Sequence, residues 1–149
     1  ELKPRYLSMI IPSRWFAGGK GLDDFRAKML SDKRLKVLVD HPNAEDCFPG
    51  VRVIGGVCYF LWDSKHNGEC EVISMLGGEE VNRATRRLDA HDTFIRLNEA
   101  IPIINKIRSR NETTLDSKVS SRKPFGLTAD FISYKKNKFK TKRRSRLLC

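Results

Sequence analysis

The chain has 149 residues, 40% of them hydrophobic and 32% charged, and a formal net charge of +11. That length suits one domain or a compact piece of a larger one, and the balance of apolar and charged residues excludes an intrinsically disordered chain. No apolar run reaches the roughly 18 residues that a membrane-spanning helix needs, and the opening Glu1-Leu2-Lys3-Pro4 carries neither a secretory core nor an initiator Met.

In chain order, the run YLSMIIP over residues 6–12 reads as a buried strand closed by Pro12, which removes a ladder donor. Gly18 to Gly21 form a turn, and the spacing predicts a helix over residues 22–31. Leu22, Phe25 and Met29 share its face, with Asp23 and Asp24 in the first turn, where the macrodipole favours acids. Residues 35–39 make a second strand, followed by a loop from Asp40 to Gly50 with Pro42, Asn43 and Pro49 as breakers. Residues 51–62, VRVIGGVCYFLW, read as a third, central strand, apolar on both faces. Gly55-Gly56 mark a bulge or a close backbone approach. Asn67-Gly68 signals a hairpin turn into a fourth strand over residues 69–76. A helix is predicted over residues 92–110, its stripe formed by Phe94, Leu97, Ile101 and Ile104 and widened by Ile103 and Ile107, with Pro102 kinking or splitting it. Residues 111–123 are polar and loop-like. Four strands and two helices without repeats suggest part of an α/β sheet with an antiparallel edge.

The four cysteines, Cys47, Cys58, Cys70 and Cys149, follow no zinc-ligand spacing, and His41, His66 and His91 are scattered, so no metal is expected. Cys58 and Cys70 suit small core positions. Between Lys135 and Arg146 lie eight basic residues and no acid, and without them the net charge falls to +3. Such a tail fits a polyanion partner, most often nucleic acid, or a solvated chain end. The stretch PSRWFAGGKGLDDFR imitates a phosphate loop but lacks the Ser or Thr that should follow Lys20, and Gly18, Gly19 and Gly21 miss the dinucleotide spacing. It reads instead as a strand-to-helix connection at the ligand-bearing end of a sheet.

Four segments in order, MIIPSRWFAGGKGLDDFR, AEDCFPGVRVIGGVCYFLW, the helix after residue 91 and SSRKPFGL, resemble the C-terminal half of adenine-N6 DNA methyltransferases of the type II restriction–modification kind. The resemblance runs from Tyr6 to Phe131. It implies a partial Rossmann-like methyltransferase sheet: strands five to seven of seven, an antiparallel hairpin, and helices. It divides the chain into catalytic-domain sequence over residues 1–90, a helix and the start of target recognition over 91–131, and a basic tail over 132–149. The family's Phe-x-Gly-x-Gly cofactor loop and Asn-Pro-Pro-Tyr catalytic motif are both missing from these 149 residues.

The resemblance assigns Phe48 as the aromatic that stacks on a flipped target adenine. Arg14, Lys20, Arg122 and Lys123 fall where the duplex would be met, the last two at the opening of target recognition. It implies S-adenosyl-L-methionine as methyl donor in the intact enzyme, with no cofactor, no catalytic residue and no activity expected for this chain alone. It further implies double-stranded DNA and a complementing remainder of the enzyme as partners, no membrane, a bacterial cytoplasmic setting, and a chain that is an excised piece, a split subunit or a truncated reading frame. The fifth strand would lack its usual neighbour, so self-association through an exposed sheet edge is expected. The alternative is a stand-alone basic nucleic-acid-binding module. A nucleotide-binding enzyme built on the glycine loop is a third, weaker reading.

Overall fold

The computed structural model of the protein describes residues 3–18, 21–113, 115, 118 and 119. It divides into a unit over residues 1–111 and a second over 112–149. In the second, the amides of Lys118 and Val119 donate to the Leu115 carbonyl at 2.9 and 3.0 Å.

The first unit holds, in order, β1 (Tyr6–Pro12), α1 (Asp23–Ser31), β2 (Leu35–His41), β3 (Val57–Asp63), β4 (Cys70–Leu76), β5 (Glu79–Arg86) and α2 (Ala100–Arg108). The five strands form one mixed sheet in the order β1-β3-β2-β4-β5. Strand β3 runs antiparallel to both β1 and β2, β2 and β4 are parallel, and β4 and β5 are antiparallel. It follows that β1, β2 and β4 all end at the same rim of the sheet. A helix is the ordinary way to join two parallel strands, and α1 joins β1 to β2.

The core lies on one face. Cys58 and Phe60 of β3 stand in register with Ile11 and Met9 of β1, and with Asp40 and Leu38 of β2. Leu38 is in turn in register with Val72. Paired residues share a face, so these positions form one surface. Trp15, Phe16, Leu30, Leu88 and Phe94 pack with it. The Phe16 and Phe94 rings lie 4.2 Å apart, with Trp15 edge-on to Phe16. Full burial of a side chain such as Leu38 or Val72 contributes about 1.5–3 kcal/mol. The backbone knits the same elements, since the Phe94 amide donates to the Phe16 carbonyl at 2.8 Å.

The glycine-rich connection joins a strand to a helix, as its sequence implies. Among the described residues of the Pro12-to-Leu22 stretch, Ser13–Trp15 form a 3-10 turn. Gly21 takes a positive φ of 79° just before α1. Arg26 then ties the connection down, pairing with Asp23 and donating from Nη1 to the carbonyls of Trp15 and Gly18, each at 3.3 Å. Gly19 and Lys20 lie outside the described residues.

Five readings from the sequence change. β1 occupies residues 6–12 but is an edge strand, with Tyr6, Leu7, Met9 and Ile10 exposed rather than buried. The third strand starts at Val57, not at residue 51, because Gly55 and Gly56 take φ of 91° and 81°, outside any strand conformation. Asn67-Gly68 makes no hairpin: β3 and β4 do not pair, and the Gly68 amide bonds the Lys33 carbonyl instead. The hairpin is β4–β5, turned by Gly77 and Gly78 with φ of 61° and 82°, and β5 brings the strands to five rather than four. The long helix shrinks to Ala100–Arg108, with Pro102 in its first turn, where a missing N–H costs nothing. Phe94 and Leu97 precede it in irregular backbone. Among the described residues, no helix is long and apolar enough to cross a membrane.

Candidate nucleic-acid interface

Ligands of open α/β sheets sit outside the carboxyl ends of the strands. At that rim lie the turn after β1, which carries Arg14, and the 42–56 loop between β2 and β3, which carries Phe48. Arg14 is exposed, and its Cγ lies 3.9 Å from where a Cβ on Gly55 would stand. The two connections therefore touch. Arg52, a second exposed cation, lies in the same loop.

Local hydrogen bonds shape that loop. Asn43 opens a 3-10 turn over Ala44–Asp46, accepting from the Glu45 amide at 3.3 Å and donating from Nδ2 to Asp46 Oδ1 at 2.9 Å. The Phe48 amide donates to the Ala44 carbonyl at 2.9 Å, and the Val51 amide to the Phe48 carbonyl at 3.0 Å. Ala44 is buried while Phe48 keeps 40% of its surface exposed. A ring used as a buried anchor would be hidden, so the loop presents Phe48 rather than packing it.

Behind the loop lies a buried charge. Asp40, 1% exposed, accepts from Ser13 Oγ at 3.3 Å and has Arg96 Nε 3.0 Å from its Oδ2. That second contact is an ion pair without hydrogen-bond alignment, since Oδ2 has no hydrogen-bond partner among the described residues. Burial raises the Asp40 pKa to about 6, against the opposing pull of Arg96 and Ser13. Next to it, burial lowers the pKa of His41, opposed by Asp46, and the ring tilts over Tyr59 at 5.7 Å. Burial raises the pKa of the Cys47 and Cys58 thiols, which keeps them protonated and poorly nucleophilic.

Residues 1–48 match the family model described as Eco57I restriction-modification methylase. Over those residues the chain is similar to part of a restriction–modification methylase. An uncharacterized adenine-specific methylase of Mycoplasma pneumoniae (strain ATCC 29342 / M129 / Subtype 1) is 34% identical to it over 70 residues, 46% of this chain. That match spans only 17% of the Mycoplasma methylase. The methylase-matched stretch takes in β1, α1, β2 and the loop as far as Phe48.

Of the five side chains singled out in the sequence, Arg14 and Phe48 come to one rim, while Lys20, Arg122 and Lys123 lie outside the described residues. Sequence reasoning missed Ser13, Asp40 and Arg96. The Gly55-Gly56 pair was the one local sign of a crowded site there; nothing near Arg96 in the sequence points to Asp40.

Proposed function

We propose that this chain is part of a site-specific adenine-N6 DNA methyltransferase of a restriction–modification system. In the intact enzyme a methyl group from S-adenosyl-L-methionine goes to the exocyclic amine of an adenine turned out of the duplex. This chain supplies one wall of the base pocket through Phe48, and DNA-backbone contacts through Arg14, Lys20, Arg122 and Lys123. The observation that carries the reading is the exposed Phe48 ring, held by a structured loop at the ligand rim of a methylase-related segment. A flipped base loses its stack in the helix, and an aromatic face replaces it. Phosphate contacts from the cations position the duplex without reading its sequence.

The three contiguous strands β1, β3 and β2 support the assignment to the family's fifth, seventh and sixth strands. On this reading residues 1–90 belong to the catalytic domain, 91–131 lead into target recognition and 132–149 form a basic tail. The Phe-x-Gly-x-Gly loop with which the family holds the methyl donor is missing from these 149 residues. The donor's pocket belongs to the complementing part of the enzyme, and this chain alone transfers no methyl group. The setting is the bacterial cytoplasm.

The test is duplex binding across a salt series, with and without residues 133–149. Binding that survives removal of the tail and weakens in Phe48→Ala, with a mismatched adenine in the site, supports the methyltransferase reading. Complete loss of binding with the tail favours the stand-alone basic module, for which the concentrated charge of residues 135–146 speaks.

A further inference from the structure

The 42–56 loop leaves β2 and returns to β3 at one point, because His41 and Val57 are register partners. Its neck is tied in three ways. Gly56 lies so close to the departing chain that a Cβ there would stand 2.2 Å from the His41 carbonyl oxygen and 2.6 Å from that of Pro42. Ser13 bridges the neck from the turn after β1: its amide donates to the Gly56 carbonyl at 3.0 Å, and its hydroxyl to Asp40. Arg96 bridges it from the stretch between β5 and α2, with Nε facing Asp40 on the outgoing side and Nη2 donating to the Gly55 carbonyl on the returning side.

A cation at a DNA-facing rim would ordinarily be assigned to phosphate. The surroundings of Arg96 point inward instead. Its side chain is only 32% exposed, its charge faces a carboxylate that is 1% exposed, and its guanidinium lies over the Phe16 ring at 5.1 Å. Phe16 belongs to the core, and the Phe94 amide anchors the Arg96 segment to the Phe16 carbonyl. Arg96 thus reaches the neck of the loop from a segment anchored to the core.

We propose that Arg96 is a positioning residue that locks the neck of the 42–56 loop and so holds Phe48 in place before DNA arrives. The functional half of this rests on the reading of Phe48 as a stacking wall; the neck lock itself does not. An aromatic that must meet a base gains affinity when its loop is ordered beforehand, because the ordering cost is not charged to binding.

Hydrogen–deuterium exchange of the full 149-residue chain tests it. In Arg96→Met, which keeps an unbranched apolar side chain and takes the guanidinium away from Asp40, Gly55 and Phe16, the amides of Phe48, Val51 and Gly56 should exchange about tenfold faster, while those of β2 and β4 keep their protection. Unchanged loop amides would overturn the lock. So would strand amides that accelerate as much as the loop, since Arg96 would then be a general packing residue. If Arg96→Met does not fold, Asp40→Asn decides, because it removes the charge Arg96 faces at nearly constant shape; equal loop exchange in it and the wild type refutes the lock. In parallel, a duplex with 2-aminopurine at a mismatch reports stacking. A signal unmoved by Phe48→Ala defeats the stacking reading, and the exchange data still judge the neck.

Discussion

Gly56 and Gly55 are neighbours with almost the same backbone conformation, yet they do different work. Both have positive φ, which costs an L side chain about 1–2 kcal/mol. Only Gly56 also faces carbonyl oxygens inside contact distance, and these belong to the chain leaving β2. Gly55→Ala should therefore lower unfolding free energy by about 1 kcal/mol, and Gly56→Ala by about 3 kcal/mol or more, because backbone atoms must shift as well. Urea titrations of the two variants read the difference directly, and equal losses would mean the neck is not close-packed. The Asp40 carboxyl gives a second prediction. Its pKa is about 6 in the folded chain, raised by burial above the ordinary value of 3.8. The folded state thus holds that proton more tightly than the unfolded chain does. Its contribution to stability is complete below pH 4 and is lost as pH rises through 6. His41 and His91, with pKa values lowered by burial, act in the opposite sense, losing stability as pH falls below their usual range. The difference between wild type and Asp40→Asn cancels the histidines. That difference should shift against the wild type between pH 4 and pH 6 and be flat outside the window. A flat difference throughout would show that Asp40 titrates normally.

Among the elements, β1 shows what a local pattern reveals and what it leaves out. YLSMIIP is apolar enough to be a strand and Pro12 ends it, so its bounds were legible to the residue. Its burial was not, because burial depends on what lies beside and over the strand, and in the described structure β3 is its one ladder partner. β5 fails the other way: EEVNRATR carries little apolar signal, and the ladder with β4 across the Gly77-Gly78 turn makes it a strand. Asn67-Gly68 has the local chemistry of a hairpin, but the parallel pairing of β2 with β4 uses the ladder that such a hairpin would need. At the site, Phe48 was singled out through its resemblance to a family motif, whereas the Asp40–Arg96 pair joins segments far apart in sequence. An edge strand with exposed apolar side chains invites pairing with another chain. We therefore expect the isolated chain to self-associate through β1, and Ile10→Lys, at a position 45% exposed, to reduce the associated fraction. Light scattering against concentration checks both statements. A wild-type chain that stays monomeric at high concentration refutes the first, and an unchanged oligomer in Ile10→Lys refutes the second.

At the scale of the whole molecule the question is how much DNA affinity comes from a shaped surface and how much from charge alone. The net charge is +11, and eight basic residues lie between Lys135 and Arg146. Each phosphate neutralised on duplex DNA adds roughly 0.9 to the magnitude of the slope of log K against log salt. If all eight tail cations engage phosphates, removing residues 133–149 should flatten that slope by about 7. A generic polyanion binder would then retain almost no slope and almost no affinity. A methyltransferase segment keeps what its body makes: a shallow slope of about −3 to −4 if Arg14, Lys20, Arg122 and Lys123 each meet a phosphate, and a salt-insensitive stacking contribution from Phe48. Base–aromatic stacking is worth about 1–3 kcal/mol, so Phe48→Ala in the tail-less chain should weaken binding to a mismatched adenine by about 5- to 150-fold without changing the slope. The truncation and the substitution thus move different observables, the tail the slope and the ring the intercept. If Phe48→Ala changes the slope, or leaves the intercept untouched, the ring is not the wall of a base pocket, and the basic-module reading takes its place.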